Sequence, residues 1–239
     1  MTESVLDNPD ALTLAERVMK ELRHEIVTLR LAPGSKIDIR RTAARMGVSI
    51  IPVRETLRGL EAEGLVRIAT FRNITVTPLS LEDMEATYSL RGVVEGLAIR
   101  AACERPTPAW LDGMRAAAMS LPPRAGLETP INDDQLLDSA ERADSRFHLG
   151  IYAHCGSEPL RLCATMLYRR SERYRNFLRL HVTDPRPVNV GMRDVMIAIE
   201  AGEADLAASL MQSAIFSTVM RLRPLLAADQ HLQIETTVA

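Results

Sequence analysis

The sequence contains few cysteines and no long apolar run. Its three cysteines, Cys103, Cys155 and Cys163, form no CxxC pair, which excludes a zinc ribbon and a thioredoxin-like motif. No run of about 18 apolar residues occurs, so neither a membrane-spanning helix nor a membrane partner is predicted. The segment MTESVLDNPDALT lacks the apolar stretch of a signal peptide. We therefore expect a cytoplasmic protein with reduced thiols.

Aromatic residues and lysines are also scarce. Aromatic side chains make up only 4% of the 239 residues, so the hydrophobic core must be mainly aliphatic. Two lysines accompany 27 arginines, and residues 30–72 hold nine basic against four acidic side chains, although the whole chain has a net charge of −2. This local excess of positive charge indicates a polyanion partner for one part of the chain. A solvated, arginine-rich helix surface is the alternative explanation.

Residues 1–78 predict three helices followed by a two-stranded hairpin. Over 13–31, apolar residues recur every three or four positions, which is typical of a helix with one buried face. A short helix is predicted over 38–47, where Asp38 caps the start and Gly47 provides the stop. The third helix and the two alternating strand segments follow at about 49–63, 65–69 and 74–77.

Residues 79–239 contain helix signals and no comparable strand signal. Six helices are predicted to pack as a bundle, and they span about 81–103, 108–120, 133–155, 158–180, 188–201 and 203–228. Pro224 is expected to kink the last helix or to end it early, because proline removes a helical hydrogen bond. The predicted fold class is therefore mainly α, with a small hairpin in the N-terminal part and an all-α bundle in the C-terminal part.

Two short helices joined by a glycine-containing turn form a helix-turn-helix, whose second helix enters the major groove of DNA. Arg54 and Arg58 lie four residues apart on that helix, so they share a face and fit the acceptor edge of guanine. Ser49 and the helix start suit a phosphate, and the hairpin corresponds to a wing. The other candidate DNA contacts are Arg40, Arg41 and Arg45 on the preceding helix, and Arg72 and Asn73 at the tip of the wing.

These residues resemble a known family. The segment LAPGSKIDIRRTAARMGVSIIPVRETLRGLEAEGLVRIATFRNITV is similar to the winged-helix DNA-binding domain of GntR-type bacterial regulators. Three further segments, LRGVVEGLAIRAA (90–102), ADSRFH (143–148) and AIEAGEADLAASLM (198–211), resemble the all-helical, FCD-type ligand-binding domain of the FadR subgroup. The resemblance covers nearly the whole chain.

The resemblance implies a tail over residues 1–11, a winged helix-turn-helix over 12–78 and an effector-binding and dimerisation domain over 79–239. It further implies a homodimer that binds a palindromic double-stranded operator, and we expect a repressor. The family's DNA-contacting arginines fall on Arg40 and Arg54, whereas its wing glycine is replaced by Asn73. A third family arginine is replaced by Ile50, which could contact a thymine methyl group instead, so the operator sequence does not carry over from relatives.

Asp144 and His148 are four residues apart and share a helix face. They could bind a metal, pair with each other or perform acid–base chemistry, but two ligands are too few for a tight site. Many members of the subgroup bind a divalent metal with this pair and two later histidines. In this sequence those two histidine positions are occupied by Met192 and Ala214. His154 and His181 lie at no family position. We therefore expect a degenerate site in which only Asp144 and His148 remain, with no metal and no cofactor.

The effector is expected to be a small organic anion, a carboxylate. Arg91 matches an arginine that the family directs into its pocket, where a guanidinium can bind a carboxylate with two hydrogen bonds. The alternative for Arg91 is a salt bridge with Glu95 or Asp144. The candidate effector contacts are Arg91, Asp144, His148 and Met192.

Three functions are compatible with these patterns. The first is a ligand-responsive transcriptional regulator. The second is a helical-bundle enzyme with Asp144 and His148 as an acid–base pair, but no nucleophile, phosphate loop or complete metal site accompanies them. The third is a structural protein that uses the winged helix for protein contacts, and Arg54 at the start of the second motif helix argues against it. The sequence therefore favours the regulator.

Overall fold

The computed structural model of the protein describes residues 13–70, 73–121, 130–131, 133–181 and 191–228. The chain divides into two compact units, the first ending at Pro78 and the second beginning at Leu79. Within the described ranges, no helix has both the length and the apolar character needed to cross a membrane. The mainly α fold class with a small hairpin is confirmed.

The first unit consists of three helices and a hairpin: α1 (Leu14–Val27), α2 (Ile39–Met46), α3 (Ile50–Ala62), β1 (Val66–Thr70) and β2 (Asn73–Val76). Helix α1 begins with a capping box between Thr13 and Glu16. It ends four residues before the predicted position because Leu29 adopts a left-handed conformation with φ 63°, which a helix cannot contain. The amide of Leu31 then folds back to the carbonyl of Glu25 at 2.9 Å.

The turn between α2 and α3 follows the local signals in the sequence. The Asp38 carboxylate accepts a hydrogen bond from the Arg41 amide at 2.9 Å, and Gly47 ends α2 with φ 64°. The Val48 amide donates to the Ala43 carbonyl at 3.0 Å, which turns the chain towards α3. Both predicted helix ends are therefore confirmed. The apolar faces of α1 and α3 meet in a core that includes Leu22, Ile26, Val53, Leu57 and Leu60, all fully buried.

The wing is an antiparallel pair in which Val66 faces Val76 and Ile68 faces Ile74, with an irregularity before Thr70. Lys36 extends it by an isolated bridge to Thr75. Val66, Ile74 and Val76 are buried in the core of the first unit, so apolar packing holds the wing against the helices.

The second unit is an all-helical bundle of α4 (Leu81–Cys103), α5 (Pro108–Ser120), α6 (Asp134–His154), α7 (Glu158–Arg170), α8 (Glu172–His181), α9 (Met192–Glu200) and α10 (Ala204–Ala228). Helix α4 is central and packs against α6, α7 and α10. Pro224 lies inside α10, which continues to the predicted end at Ala228, so of its two expected effects the early end does not occur. The predicted start of a helix at 188 lies outside the described residues.

The described part of the bundle has seven helices where six were predicted, because the 158–180 segment is divided at Ser171. The Ser171 hydroxyl donates to the Tyr168 carbonyl at 2.7 Å. It also accepts hydrogen bonds from Arg91 at 3.0 Å and Arg175 at 2.7 Å. A serine hydroxyl that bonds the preceding turn competes with regular helix geometry. Ser171 therefore separates α7 from α8 and joins both to α4.

Candidate functional site

Helix α3 presents one solvent-facing strip of side chains. At about 100° per residue, Ile50, Ile51, Arg54 and Arg58 fall within an arc of roughly 100°. The buried residues of the same helix, such as Thr56 and Leu60, fall outside that arc. Arg54 is half-buried and the other three are exposed. Because its buried side packs against the core, α3 is oriented with this strip facing solvent.

The start of α3 lies next to the cationic residues of α2. Ser49 is exposed, and its hydroxyl makes no capping bond. The amides of the first helical turn and the positive end of the helix dipole lie beside it. Arg40 and Arg41 are exposed and form no ion pair with any residue that the structure describes. This arrangement offers several donors to a phosphate backbone.

Arg45 differs from the other predicted DNA contacts. Its guanidinium makes two bonds to Glu25 on α1, at 2.5 and 2.8 Å, and lies 3.5 Å from Glu21. A bidentate pair of this kind fixes α2 against α1. Arg45 is thus already engaged within the unit, and a phosphate contact would require that pair to open.

The wing tip is described only in part. Asn73 is exposed at the first position of β2. Arg72, the other predicted contact at the tip, lies outside the described residues. The position of Asn73 is compatible with the predicted wing contact.

The second unit contains a largely buried network that we call the charge cluster, formed by Arg91, Glu95, Glu141, Asp144, His148, Arg175 and Arg179, of which Glu141 and Arg179 are half-buried. Arg91 Nε lies 2.5 Å from Glu95 Oε1, and the other oxygen of Glu95 lies 2.7 Å from His148 Nδ1. Of the two partners proposed for Arg91 from the sequence, the structure selects Glu95. Arg91 and Glu95 sit one turn apart on α4, and His148 reaches them from α6.

Asp144 and His148 share a face of α6, as predicted, but they are not directly hydrogen-bonded. His148 Nε2 lies 3.8 Å from Asp144 Oδ1, which is too long for a hydrogen bond. Asp144 instead accepts a bond from the Tyr168 hydroxyl at 2.9 Å, and Arg175 Nε lies 3.2 Å from it. Each member of the pair therefore has its principal partner on another helix.

The second half of the charge cluster was not predicted from the sequence. Glu141 of α6 accepts hydrogen bonds from Arg175 and Arg179, the latter at 2.6 Å. The Arg175 guanidinium also lies 3.9 Å from the Tyr168 ring centroid, a cation–π contact. The available signal was the concentration of arginines over residues 169–179, whose charges need internal partners if that helix is buried.

The electrostatics of the charge cluster keep its carboxylates ionised. Burial would raise the pKa of Glu95, but the Arg91 guanidinium and His148 outweigh burial and lower it to about 2. The pKa of Asp144 is likewise lowered, against its burial, by His148 and Arg175. Because an ionised Glu95 can only accept, His148 Nδ1 carries the proton of the bond that joins them. Three arginines therefore face three carboxylates, and their charges cancel.

Three of the four tyrosines of the chain contact the charge cluster directly, and the fourth, Tyr174, packs against the ring of Tyr88. The hydroxyls of Tyr168 and Tyr174 are hydrogen-bonded, the latter to Asp83 at 2.8 Å. The hydroxyl of Tyr88 is buried and has no hydrogen-bond partner among the described residues, and the buried hydroxyl of Tyr152 lies near Glu95 without a hydrogen bond of regular geometry. A buried hydroxyl without a partner is costly, so Tyr88 marks a place where a ligand or water would be stabilised.

The residues at the family's metal positions do not fit a divalent ion. Asp144 and His148 are occupied by the hydrogen bonds described above, and Met192 and Ala214 supply a buried thioether and a methyl group. A Cβ added to Gly191 would lie 3.4 Å from the Ala214 side chain, so the backbone just before α9 lies close to Ala214. Within the described ranges, no three or more His, Cys, Asp or Glu side chains form a group that could hold a metal.

The two remaining candidate histidines of this unit have other roles. His154 stacks on Trp110 with ring centroids 4.5 Å apart, and its Nε2 lies 2.7 Å from the Arg105 carbonyl. His181 Nδ1 lies 2.8 Å from the Phe177 carbonyl. Both are thus tied to their local backbone rather than to the Asp144 region.

Family models match both units. Residues 14–76 match the model of bacterial regulatory proteins of the gntR family, and residues 86–216 match the FCD domain. The chain belongs to the GntR family of bacterial regulatory proteins. It is an HTH-type, DNA-binding transcriptional regulator, and its FCD domain is consistent with the FadR subgroup.

Two relatives and one solved structure illustrate this membership. The HTH-type transcriptional regulator BphR of Paraburkholderia xenovorans (strain LB400) is 30% identical over 194 residues, covering 79% of this chain and 78% of BphR. The HTH-type transcriptional repressor GlaR of Escherichia coli (strain K12) is 26% identical over 154 residues, covering 64% of this chain and 69% of GlaR. The structure of E. coli McbR/YncC shares the fold with a TM-score of 0.70 at 19% identity, covering 90% of this chain and 99% of that one.

The family membership sets the enzyme hypothesis aside, because the matching family and these relatives are transcriptional regulators and not enzymes. The geometry agrees with that conclusion. Asp144 and His148 are each hydrogen-bonded to a partner on another helix within the charge cluster, so neither side chain is free to act as an acid–base pair with the other.

Proposed function

We propose that this GntR-family regulator is a cytoplasmic repressor that binds a palindromic operator as a homodimer and responds to a small organic carboxylate. The observation that carries the proposal is the strip on α3, where Arg54 and Arg58 are displayed beside Ser49 and the exposed cations of α2. Repression is supported by the relative GlaR, which is named as a repressor.

In this proposal α3 lies in the major groove, and Arg54 and Arg58 bind guanine edges. Arg40, Arg41 and Ser49 bind the phosphate backbone, and Arg72 and Asn73 carry the wing into the minor groove. Arg45 is assigned a supporting role, since its pair with Glu25 fixes the orientation of α2. Phosphate contacts then set the register, and the α3 strip supplies sequence preference.

The homodimer is proposed to form through the outer face of α4 and α10. On this face Leu90, Val93, Phe216 and Met220 are exposed. Val93 and Phe216 line an open groove of about 400 Å³ that also includes Gln212. Contiguous exposed apolar side chains of this kind mark protein interfaces.

Charged pairs lie at both ends of this face. Arg223 Nη2 lies 2.7 Å from Glu85, and Arg100 Nε lies 2.6 Å from Asp205. An apolar centre with a charged rim is the usual anatomy of an interface. A two-fold contact through one face would present two winged helices to two half-sites.

The carboxylate effector is proposed to bind at the charge cluster. Arg91 supplies a guanidinium, which an anion would have to share with Glu95, and the buried hydroxyl of Tyr88 supplies a donor that has no partner among the described residues. An anion with several acceptor oxygens would satisfy these donors. His148 is the remaining polar anchor, and the buried thioether of Met192 contributes shape.

Within the second unit, helix α8 links the charge cluster to the residues just before α4. Arg175 of that helix belongs to the cluster and donates to the Ser171 hydroxyl. Its neighbour Tyr174 accepts a hydrogen bond from the amide of Ser80 at 3.3 Å. Ser80 is the second residue of the helical unit. A coupling free energy of about 1–3 kcal/mol between effector and operator is typical of such proteins.

The experiment is an operator titration with and without effector. DNA from upstream of the protein's own gene is used in gel retardation, and a carboxylate panel is screened by thermal shift. We expect hits that weaken operator binding and that are lost in Arg91→Lys, which keeps the charge but not the fork of donors. Arg142→Ala, an exposed arginine of α6, is the matched control. Hits that survive Arg91→Lys undiminished would place the anchor elsewhere.

A further inference from the structure

We propose that Ile50 and Ile51 form an apolar pair that recognises thymine methyl groups, so that each operator half-site contains thymine where the start of α3 contacts it. The proposal rests on the docking of α3 in the major groove proposed above. It adds the class of base that this particular regulator selects.

The exposure of the two side chains is the first observation. Ile50 is 41% exposed and Ile51 is 68% exposed, and they are adjacent. In the described part of the first unit, the only other large aliphatic side chain so exposed is Leu14. Single exposed apolar residues are ordinary, but this pair sits at the point where a recognition helix meets base edges.

The rigidity of the pair is the second observation. Both residues lie in the first turn of α3, whose axis is fixed by the fully buried Val53 and Leu57. The χ1 angle of a β-branched side chain is restricted, so little rotamer freedom is lost when isoleucine is immobilised against a base. The pair is thus a preformed apolar surface.

The chemistry of the groove identifies the partner. In the major groove the C5-methyl of thymine is the apolar group, whereas the other base edges present hydrogen-bond donors and acceptors. Isoleucine placed against those polar atoms would remove water without replacing its hydrogen bonds, which is unfavourable. An isoleucine pair therefore favours thymine and disfavours guanine at the same position.

The neighbours of the pair define its context. Arg54 lies one turn after Ile50 on the same strip, and Arg58 lies one turn further. The local excess of positive charge over residues 30–72 is complementary to a DNA backbone. The expected half-site therefore combines thymine, read by the isoleucines, with a neighbouring guanine read by arginine.

The test begins with DNA selected from a random library by the full-length wild-type protein. Each thymine of the selected site is then replaced, one at a time, by deoxyuridine, which removes only the methyl group. We expect one or two positions at which binding weakens about fourfold, the effect of one buried methyl-sized group at ~0.8 kcal/mol. Elsewhere the replacement should have no effect.

The variants assign that effect to the isoleucines. The Ile50→Ala/Ile51→Ala double variant should bind the thymine and deoxyuridine sites equally, while Leu14→Ala should keep the wild-type difference. Because all three side chains are exposed, the variants should retain the wild-type thermal unfolding curve measured by circular dichroism. Ile50→Arg should change the selected base at the sensitive position to guanine.

Two outcomes would overturn the proposal, and they differ from failure of the DNA-binding model. Selected sites in which no thymine responds to deoxyuridine would remove the methyl contact. A thymine effect that persists in the double alanine variant would assign it to other residues. Failure to select any sequence would instead count against sequence-specific DNA binding as a whole, and with it this inference.

Discussion

His148 Nδ1 lies 2.7 Å from Glu95 Oε2, and both side chains are buried. This bond joins α6 to α4, and the same carboxylate is held by Arg91 on its other oxygen. Glu95 is therefore the bridging acceptor of the charge cluster. Breaking a buried pair by removing one partner is strongly destabilising, because it leaves an uncompensated charge.

The charge cluster predicts a loss of stability in acid. The pKa of Glu95 is lowered from 4.5 to about 2 in the folded protein, so its contribution is present above pH 4.5 and is lost as the pH falls towards 2. Urea unfolding followed by the fluorescence of Trp110, the single tryptophan, measures this in the helical unit. Glu95→Gln should be less stable at pH 7 and should show a shallower acid dependence. Equal acid slopes for the two proteins would contradict this.

The tyrosine hydroxyls predict opposite responses to the same substitution. Tyr88→Phe removes a buried hydroxyl that has no partner among the described residues, so stability without effector should change little or increase. Tyr168→Phe removes the donor to Asp144 and should cost about 1–3 kcal/mol. Urea unfolding at pH 7 with the Trp110 signal compares them directly. A larger loss in Tyr88→Phe than in Tyr168→Phe would show that the Tyr88 hydroxyl is satisfied without an effector.

The α4–α10 face predicts that one charge will dissociate the dimer. Light scattering should show a wild-type dimer at micromolar concentration. Val93→Glu places a carboxylate in the apolar groove and should raise the dimer dissociation constant at least about tenfold, which corresponds to ~1.4 kcal/mol. Leu162→Glu, at an exposed position on α7, is the matched control and should remain dimeric. A wild-type monomer with and without DNA, or an unaffected Val93→Glu dimer, would rule out this interface.

The donor set at Asp144 predicts that the FCD domain holds no tight divalent metal. Elemental analysis of protein purified without chelator or tag-derived metal should give well under one equivalent of zinc, nickel or manganese. The constructive counterpart is the double variant Met192→His/Ala214→His, which should gain metal binding because two imidazoles join Asp144 and His148. Stoichiometric metal in the wild type that is lost in His148→Ala would contradict the prediction.

The helix-turn-helix was predictable because its signals are local. Asp38 caps α2 through an amide three residues away, and Gly47 supplies the positive φ that ends it. Capping and turn chemistry depend on neighbours in the sequence, so they are visible without the fold. The end of α1 was missed because Leu29 occupies a conformation that leucine normally avoids.

The charge cluster was predictable only in part, because its bonds join residues far apart in the sequence. Arg91 and Glu95 are one turn apart, and that pair was among the alternatives. Glu141 and Arg175 form a hydrogen bond although they are 34 positions apart in the sequence. Arg91 donates to Ser171, which is 80 positions away. Such contacts depend on how helices pack, which helix periodicity alone does not specify. The engagement of Arg45 by Glu25 escaped prediction for the same reason.

The decisive measurement is the affinity of Arg54→Ala for a selected operator and for random DNA across a range of salt concentrations. If Arg54 reads a base, operator affinity should fall by about 1–3 kcal/mol, random-DNA affinity should change little, and the salt dependence should be preserved. Arg17→Ala, at an exposed arginine on α1, is the control and should match the wild type. Unchanged operator affinity in Arg54→Ala would contradict the assignment of α3 as the recognition helix.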